Sequence, residues 1–138
     1  MNEDTKRNKA HFEKLGYKNI HFTGFLPDSQ RDWLFTKTKA YVFASLMEGF
    51  GLPPLEAMAY GTPVVSSNAS CMPEVLGDAA EYFNPTDIHD IAEATIRVIS
   101  DETLRAQMIA RGHTQVQKYS WEKMAHETHA IYTKLLSK

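Results

Sequence analysis

The stretch "MEGFGLPPLEAMAYGTPVV", Met47 to Val65, limits what this chain can fold into more than any other. It holds three glycines, three prolines and two glutamates among apolar residues. Neither a continuous helix nor a continuous strand tolerates that spacing. A helix can begin at Pro53 and Pro54, because its first residues need no intrahelical N–H and proline presets their φ. Gly61 then stops the helix "PPLEAMAY". "PVVSS" follows as an apolar strand. The stretch therefore reads as turn, short helix, turn and strand, with Gly49 and Gly51 free of Cβ in the first turn so that the backbone there can take φ > 0.

The flanks fit the same alternation. "AYVFAS" is a continuous apolar run, as expected of a strand covered on both faces of a parallel sheet. Upstream, residues 3 to 15 predict a weakly amphipathic helix through Ala10, Phe12 and Leu15 that stops near Gly16, and Ile20 to Thr23 predicts a short strand closed by Gly24. Asp28 predicts an N-cap for a second helix with Trp33, Leu34 and Thr38 facing inward. Downstream, "PEVLG" predicts one helical turn and "AEYF" a last short strand. Beyond Pro85 the pattern is helical, with Asp87 and Ser120 as caps for "IHDIAEATIRVIS" and "WEKMAHETHAIYTKLL" and "ETLRAQMIARGHTQVQKY" between them. This order predicts an α/β fold with a parallel sheet, in one domain over residues 1–138.

Composition narrows the function classes. At 138 residues and 43% hydrophobic, the chain can bury a core. A net charge of -2 gives no field that would attract nucleic acid. The single cysteine, Cys71, excludes an intrachain disulfide and fits a reducing, cytoplasmic setting. No apolar run approaches the ~18 residues of a transmembrane helix, and the charged N-terminus does not resemble a signal peptide.

In open parallel sheets ligands bind beyond the carboxyl ends of the strands, where Met47 to Leu52 lies. The amides of Gly49, Phe50, Gly51 and Leu52 would gather at a helix N-terminus, which favours a phosphate. Glu48 in the loop and Glu56 in the helix need a different part of the ligand, and vicinal hydroxyls supply it, since a carboxylate accepts two hydrogen bonds from a diol. One carboxylate would hold a sugar and the other a ribose. A nucleotide-diphosphate sugar has that layout. A glycosidase would also use two carboxylates, but it does not account for the glycine turn.

"EGFGLPPLEAMAYGTPVVSSNASCMPEVLGDAAEYFNPTD" resembles the signature region of the retaining family 4 glycosyltransferases of GT-B fold, marked by Glu, seven residues, Glu. The likeness extends outward through "GFLPD" and "YSWEKMAHETHAIY". It implies a Rossmann-like donor domain in which Glu56 binds ribose hydroxyls. Glu48 would be the catalytic glutamate, orienting the donor without acting as nucleophile. With the Gly49 to Leu52 backbone it would hold the sugar and diphosphate, and Phe25 and Leu26 would meet the nucleobase. A UDP-, GDP- or ADP-sugar would be the donor, used with retention and no metal or other cofactor. Ala44-Ser45 stands where the family has Pro-Ser.

The family's first strand and helix, with the arginine and lysine that neutralise the diphosphate, have no counterpart here, nor does the N-terminal acceptor domain. The resemblance thus implies part of a larger enzyme, peripheral to a membrane in its full form and completed by a missing domain or subunit. The terminal helix, whose family counterpart packs on that absent domain, is the expected sticky element, and a homo-oligomer through it or through an open sheet edge is the alternative. A non-catalytic nucleotide-sugar-binding or assembly module is the other functional reading. His126 and His129 lie three apart, which misses the His-Glu-x-x-His spacing of a zinc site. Cys71 has no paired base and reads as an inert thiol near the donor loop.

Overall fold

A computed structural model of the chain describes residues 3–137; residues 1, 2 and 138 of the expected domain lie outside them. The chain divides into two compact units, Met1–Leu34 and Phe35–Lys138.

The first unit holds helix α1 (Glu3–Lys14) and most of α2 (Asp28–Lys37). Gly16, at φ +80°, ends the α1 region as its sequence predicts. Phe12 is half-buried and sets its ring 6.1 Å from those of Tyr17 and Phe22. The expected strand over Ile20 to Thr23 does not form. A strand exists only by pairing, and this unit has no second strand among its described residues, so a β-rich run stays unpaired.

The inward face of α2 also differs from expectation. Trp33 is 59% exposed and Leu34 40%, and Thr38 is exposed, whereas Phe35 is buried. Arg31 and Asp32, one turn before Phe35, share its half-buried side and form an ion pair at 2.8 Å. The covered stripe of α2 is therefore 31, 32 and 35, which obeys the helical repeat better than 33, 34 and 38. Asp28 is the first helical residue and pairs with Arg31 at 3.2 Å.

The second unit is a three-stranded parallel sheet in the order β1 (Tyr41–Phe43), β2 (Val64–Ser67), β3 (Ala80–Phe83). Helix α3 (Leu52–Ala59) connects β1 to β2; α4 (Met72–Leu76) and a 3₁₀ turn, Gly77–Ala79, connect β2 to β3. Helices α5 (Ile88–Ser100), α6 (Glu102–Val116) and α7 (Trp121–Leu136) follow. Asp87 accepts from the amides of His89 and Asp90, and Ser120 from that of Lys123, so both expected caps are in place.

Alternation along β2 shows how the layers are built. Val64 enters a core with Phe35, Leu55, Ala57, Met58, Met72, Val75, Leu76 and Ala79, while Val65 enters another with Phe83, Ala94, Val98 and Met108. Successive side chains point to opposite faces, so both faces of this central strand are covered. Strand β1 departs from its prediction here. Tyr41 and Phe43 pack on the first core, but Val42, on the opposite face, is 40% exposed. Helix α5 packs on β3 and β2, which leaves that face of the edge strand β1 without a helix from this unit.

Candidate functional site

Parallel pairing of β1 with β2 brings the loops leaving their carboxyl ends side by side. The first loop runs from Ala44 to Gly51 and the second from Asn68 to Cys71. Side chains of the second, and of Ser67 at the end of β2, hold main-chain groups of the first. The Ser67 hydroxyl donates to the Ser45 carbonyl at 2.7 Å and accepts from the Ala69 amide at 3.1 Å. The Ser70 hydroxyl accepts from the Glu48 amide at 3.2 Å and donates to the Glu48 carbonyl at 3.0 Å. The Cys71 thiol lies 3.4 Å from the carbonyls of both Glu48 and Phe50.

Gly51 makes the turn into α3 with φ +91° and ψ 54°. The left-handed φ favours glycine, and a Cβ there would displace the Met72 methyl group, the flexible end of that side chain, and lie 3.0 Å from its sulfur. Gly49 differs from its expectation: its φ is not in the left-handed region, and a Cβ would meet nothing within 4 Å. Its missing side chain leaves open space above the loop and does not serve backbone geometry.

No side chain caps α3. Pro53 and Pro54 have no N–H, so the donors at this helix start are Gly51 and Leu52, preceded in the loop by Gly49 and Phe50. None of these four amides donates to another group of the described residues. Glu48 and Glu56 are both half-buried. The Tyr41 phenol is pushed above its ordinary pKa first by burial, then by the negative charges of Glu56 and Glu48. Both carboxylates thus raise the pKa of one hydroxyl, that of the residue that begins β1. The arrangement offers carboxylate acceptors for hydroxyls and unpaired amides for an anion.

Beside this lies a pocket of about 640 Å³ whose walls include Phe50, Leu52, Leu55 and Glu56 on one side and Tyr119, Trp121, Lys123 and Met124 on the other. Phe50 sets its ring edge-on to Tyr119 at 5.4 Å and 88°. Phe50 and Leu52 are 41% and 42% exposed, so they line this pocket and the core is anchored by Leu55 and Met58 instead.

Of the residues expected at the site, Glu48, Gly49, Phe50, Gly51, Leu52 and Glu56 come together. Phe25, 93% exposed, and Leu26 belong to the other unit. His126 is exposed on α7, 3.9 Å from Glu122, and no three His, Cys, Asp or Glu side chains among the described residues could hold a metal. Sequence reasoning missed Ser67, Ser70, Met72 and Tyr41. The signal for the first three was the "SSNASCM" run at a strand end, which parallel topology sets beside the glutamate loop.

The family model described as "Glycosyl transferases group 1" matches residues 2–115. This chain belongs to that family. The match covers both loops of the site and ends at the last residues of α6, so the α7 side of the pocket lies beyond it. The serotype-specific mannosyltransferase WbdA of Escherichia coli is 41% identical over 88% of the chain and 15% of its own length. The crystal structure of the C-terminal domain of a group 1 glycosyltransferase, LpcC of Francisella tularensis, is 32% identical with a TM-score of 0.70, covering 84% of this chain and 62% of that one. Sucrose-phosphate synthase from Thermosynechococcus elongatus shares the fold at a TM-score of 0.85 and 24% identity, over 96% of this chain and 34% of its own. The glycosyltransferase domain described here therefore spans a minor part of its WbdA relative, and its Rossmann-like α/β architecture is that of GT-B enzymes.

Proposed function

We propose that this glycosyltransferase domain binds the nucleotide-diphosphate donor of a retaining hexosyl transfer, with mannose as the hexose, as in the name of its WbdA relative. The observation that carries this reading is the pair of half-buried carboxylates, Glu48 in the loop and Glu56 in α3, flanking in sequence four unpartnered amides, Gly49 to Leu52. In the reaction the bond from the sugar C1 to the diphosphate oxygen breaks and a bond from C1 to the acceptor oxygen forms. The acceptor's proton passes to a donor phosphate oxygen. The amides and the α3 dipole stabilise the negative charge that grows on the leaving diphosphate. Glu56 accepts from the ribose diol and Glu48 from the sugar, which fixes the donor's orientation. Phe25 and Leu26 contact the nucleobase in this reading. No metal ion takes part.

A second domain or subunit supplies the acceptor and the cationic groups that face the diphosphate. The apolar side of α7, with Trp121 72% and Ile131 60% exposed, is its docking surface. We place the enzyme in the cytoplasm, at the membrane surface; no described helix is long and apolar enough to cross a bilayer.

Calorimetric titration with GDP-mannose, UDP-glucose and ADP-glucose in the presence of EDTA tests the reading. One of the three binds at millimolar affinity or better, and Glu56→Ala weakens it by about tenfold or more, equivalent to ~1.4 kcal/mol. Absence of binding to all three, or unchanged binding in Glu56→Ala, overturns it.

A further inference from the structure

We propose that Ser70 is the positioning residue for Glu48, a role that rests on the donor-binding reading above. Ser70 contributes nothing to the apolar core and lies in an exposed loop, yet it is the one non-glycine residue among those described with a positive φ, +57°. A serine in that conformation pays a steric cost that a glycine would avoid. What it gains is a hydroxyl that meets both polar groups of a single residue 22 positions away, accepting from the Glu48 amide and donating to the Glu48 carbonyl.

One hydroxyl bridging the N–H and C=O of the same residue fixes the rotation of the peptide planes on both sides of it. In Glu48 those planes set the direction of the carboxylate and the direction in which the next amide, that of Gly49, presents its N–H. The Cys71 thiol lies 3.4 Å from both the Glu48 and the Phe50 carbonyl, either of which can accept its one proton, and the Ser67 hydroxyl donates to the Ser45 carbonyl at the loop's entry. Glu56 receives none of this, because its position is set by α3. The two carboxylates therefore depend on different supports: Glu56 on a helix, and Glu48 on a hydroxyl from a neighbouring loop.

The test is Ser70→Gly, which accepts the backbone conformation and lacks the hydroxymethyl group. Folding stability is retained or raised, while hydrogen exchange of the Glu48 amide accelerates and affinity for GDP-mannose, or whichever probe of the titration above binds, falls by about 5- to 10-fold. A double-mutant cycle separates positioning from general loosening. In a Glu48→Ala background, where only the Gly49 amide is left to misalign, Ser70→Gly has a smaller effect than in the parent chain, but it retains its full effect in Glu56→Ala. Additivity with Glu48→Ala, or binding as in the parent chain, overturns the proposal. Unchanged exchange at the Glu48 amide overturns it as well, and because that measurement needs no ligand, it decides the role of Ser70 even if the donor-binding reading fails.

Discussion

The two glycines of the Gly-Phe-Gly-Leu turn look alike in the sequence and do different work. Gly51 satisfies the fold: its left-handed backbone turns β1's loop into α3, and its α-hydrogen faces Met72. Gly51→Ala adds both a conformational penalty and a clash with a buried side chain, and is expected to cost about 1–3 kcal/mol. Gly49 has neither constraint, since a methyl group there meets no atom within 4 Å. Gly49→Ala leaves stability within ~0.5 kcal/mol of the parent chain. It nevertheless weakens nucleotide-sugar binding, because the methyl group occupies the space above unpaired amides. Urea unfolding and calorimetry on the two variants check the contrast. A stable, weakly binding Gly51→Ala paired with an unstable, normally binding Gly49→Ala would reverse these roles.

At the scale of elements, most of the second unit was legible because its signals are local. Pro53 and Pro54 opening α3, Gly61 closing it, and Asp87 and Ser120 capping α5 and α7 act within a few residues of themselves. Misreadings arose where an element's state depends on what lies beside it. Ile20 to Thr23 has strand composition but no strand to pair with in its unit, and Val42 sits in an apolar run whose second face is covered at β2 but not at the edge. The site divides in the same way. Glu48, Glu56 and the glycine turn carry a recognisable spacing, whereas Ser70 and Met72 matter through a contact across more than twenty residues, which no spacing reveals. Helix α7 shows the local extreme. None of its residues is buried, so it is held mainly by its own hydrogen bonds and by the Ser120 hydroxyl on the Lys123 amide at 3.0 Å. Ser120→Ala removes that cap, a loss of about 1 kcal/mol. The expected result is faster exchange and lower helicity in the first turn of α7 by NMR, with the global unfolding midpoint almost unchanged. A large drop in that midpoint would mean that α7 is integral to the core.

For the whole molecule, the link between β3 and the α4 region gives stability an alkaline limit. The Tyr82 hydroxyl donates to the Gly77 carbonyl at 2.7 Å, tying the sheet to the turn that precedes it. Burial first, and then the charge of Asp78, push the Tyr82 phenol up from 10.0 to about 12. The folded state therefore holds this proton more tightly than the unfolded chain does. Its contribution to stability is fully present below pH 10, the unfolded value, and is lost as pH rises through about 12. Burial also raises the Tyr41 phenol, which adds loss in the same direction. Tyr82→Phe removes the proton together with the hydrogen bond. At pH 8 the variant should be less stable by about 1 kcal/mol, the usual worth of one such bond. Above pH 10 its stability should fall less steeply than that of the parent chain, so that the two curves converge. Lysine deprotonation contributes equally to both chains and cancels in the difference. Urea unfolding at intervals from pH 8 to about 11.5 measures that difference. Parallel curves across the whole range would show that the Tyr82 proton is bound no more tightly in the folded protein, and that the tie to Gly77 is not what limits the fold in alkali.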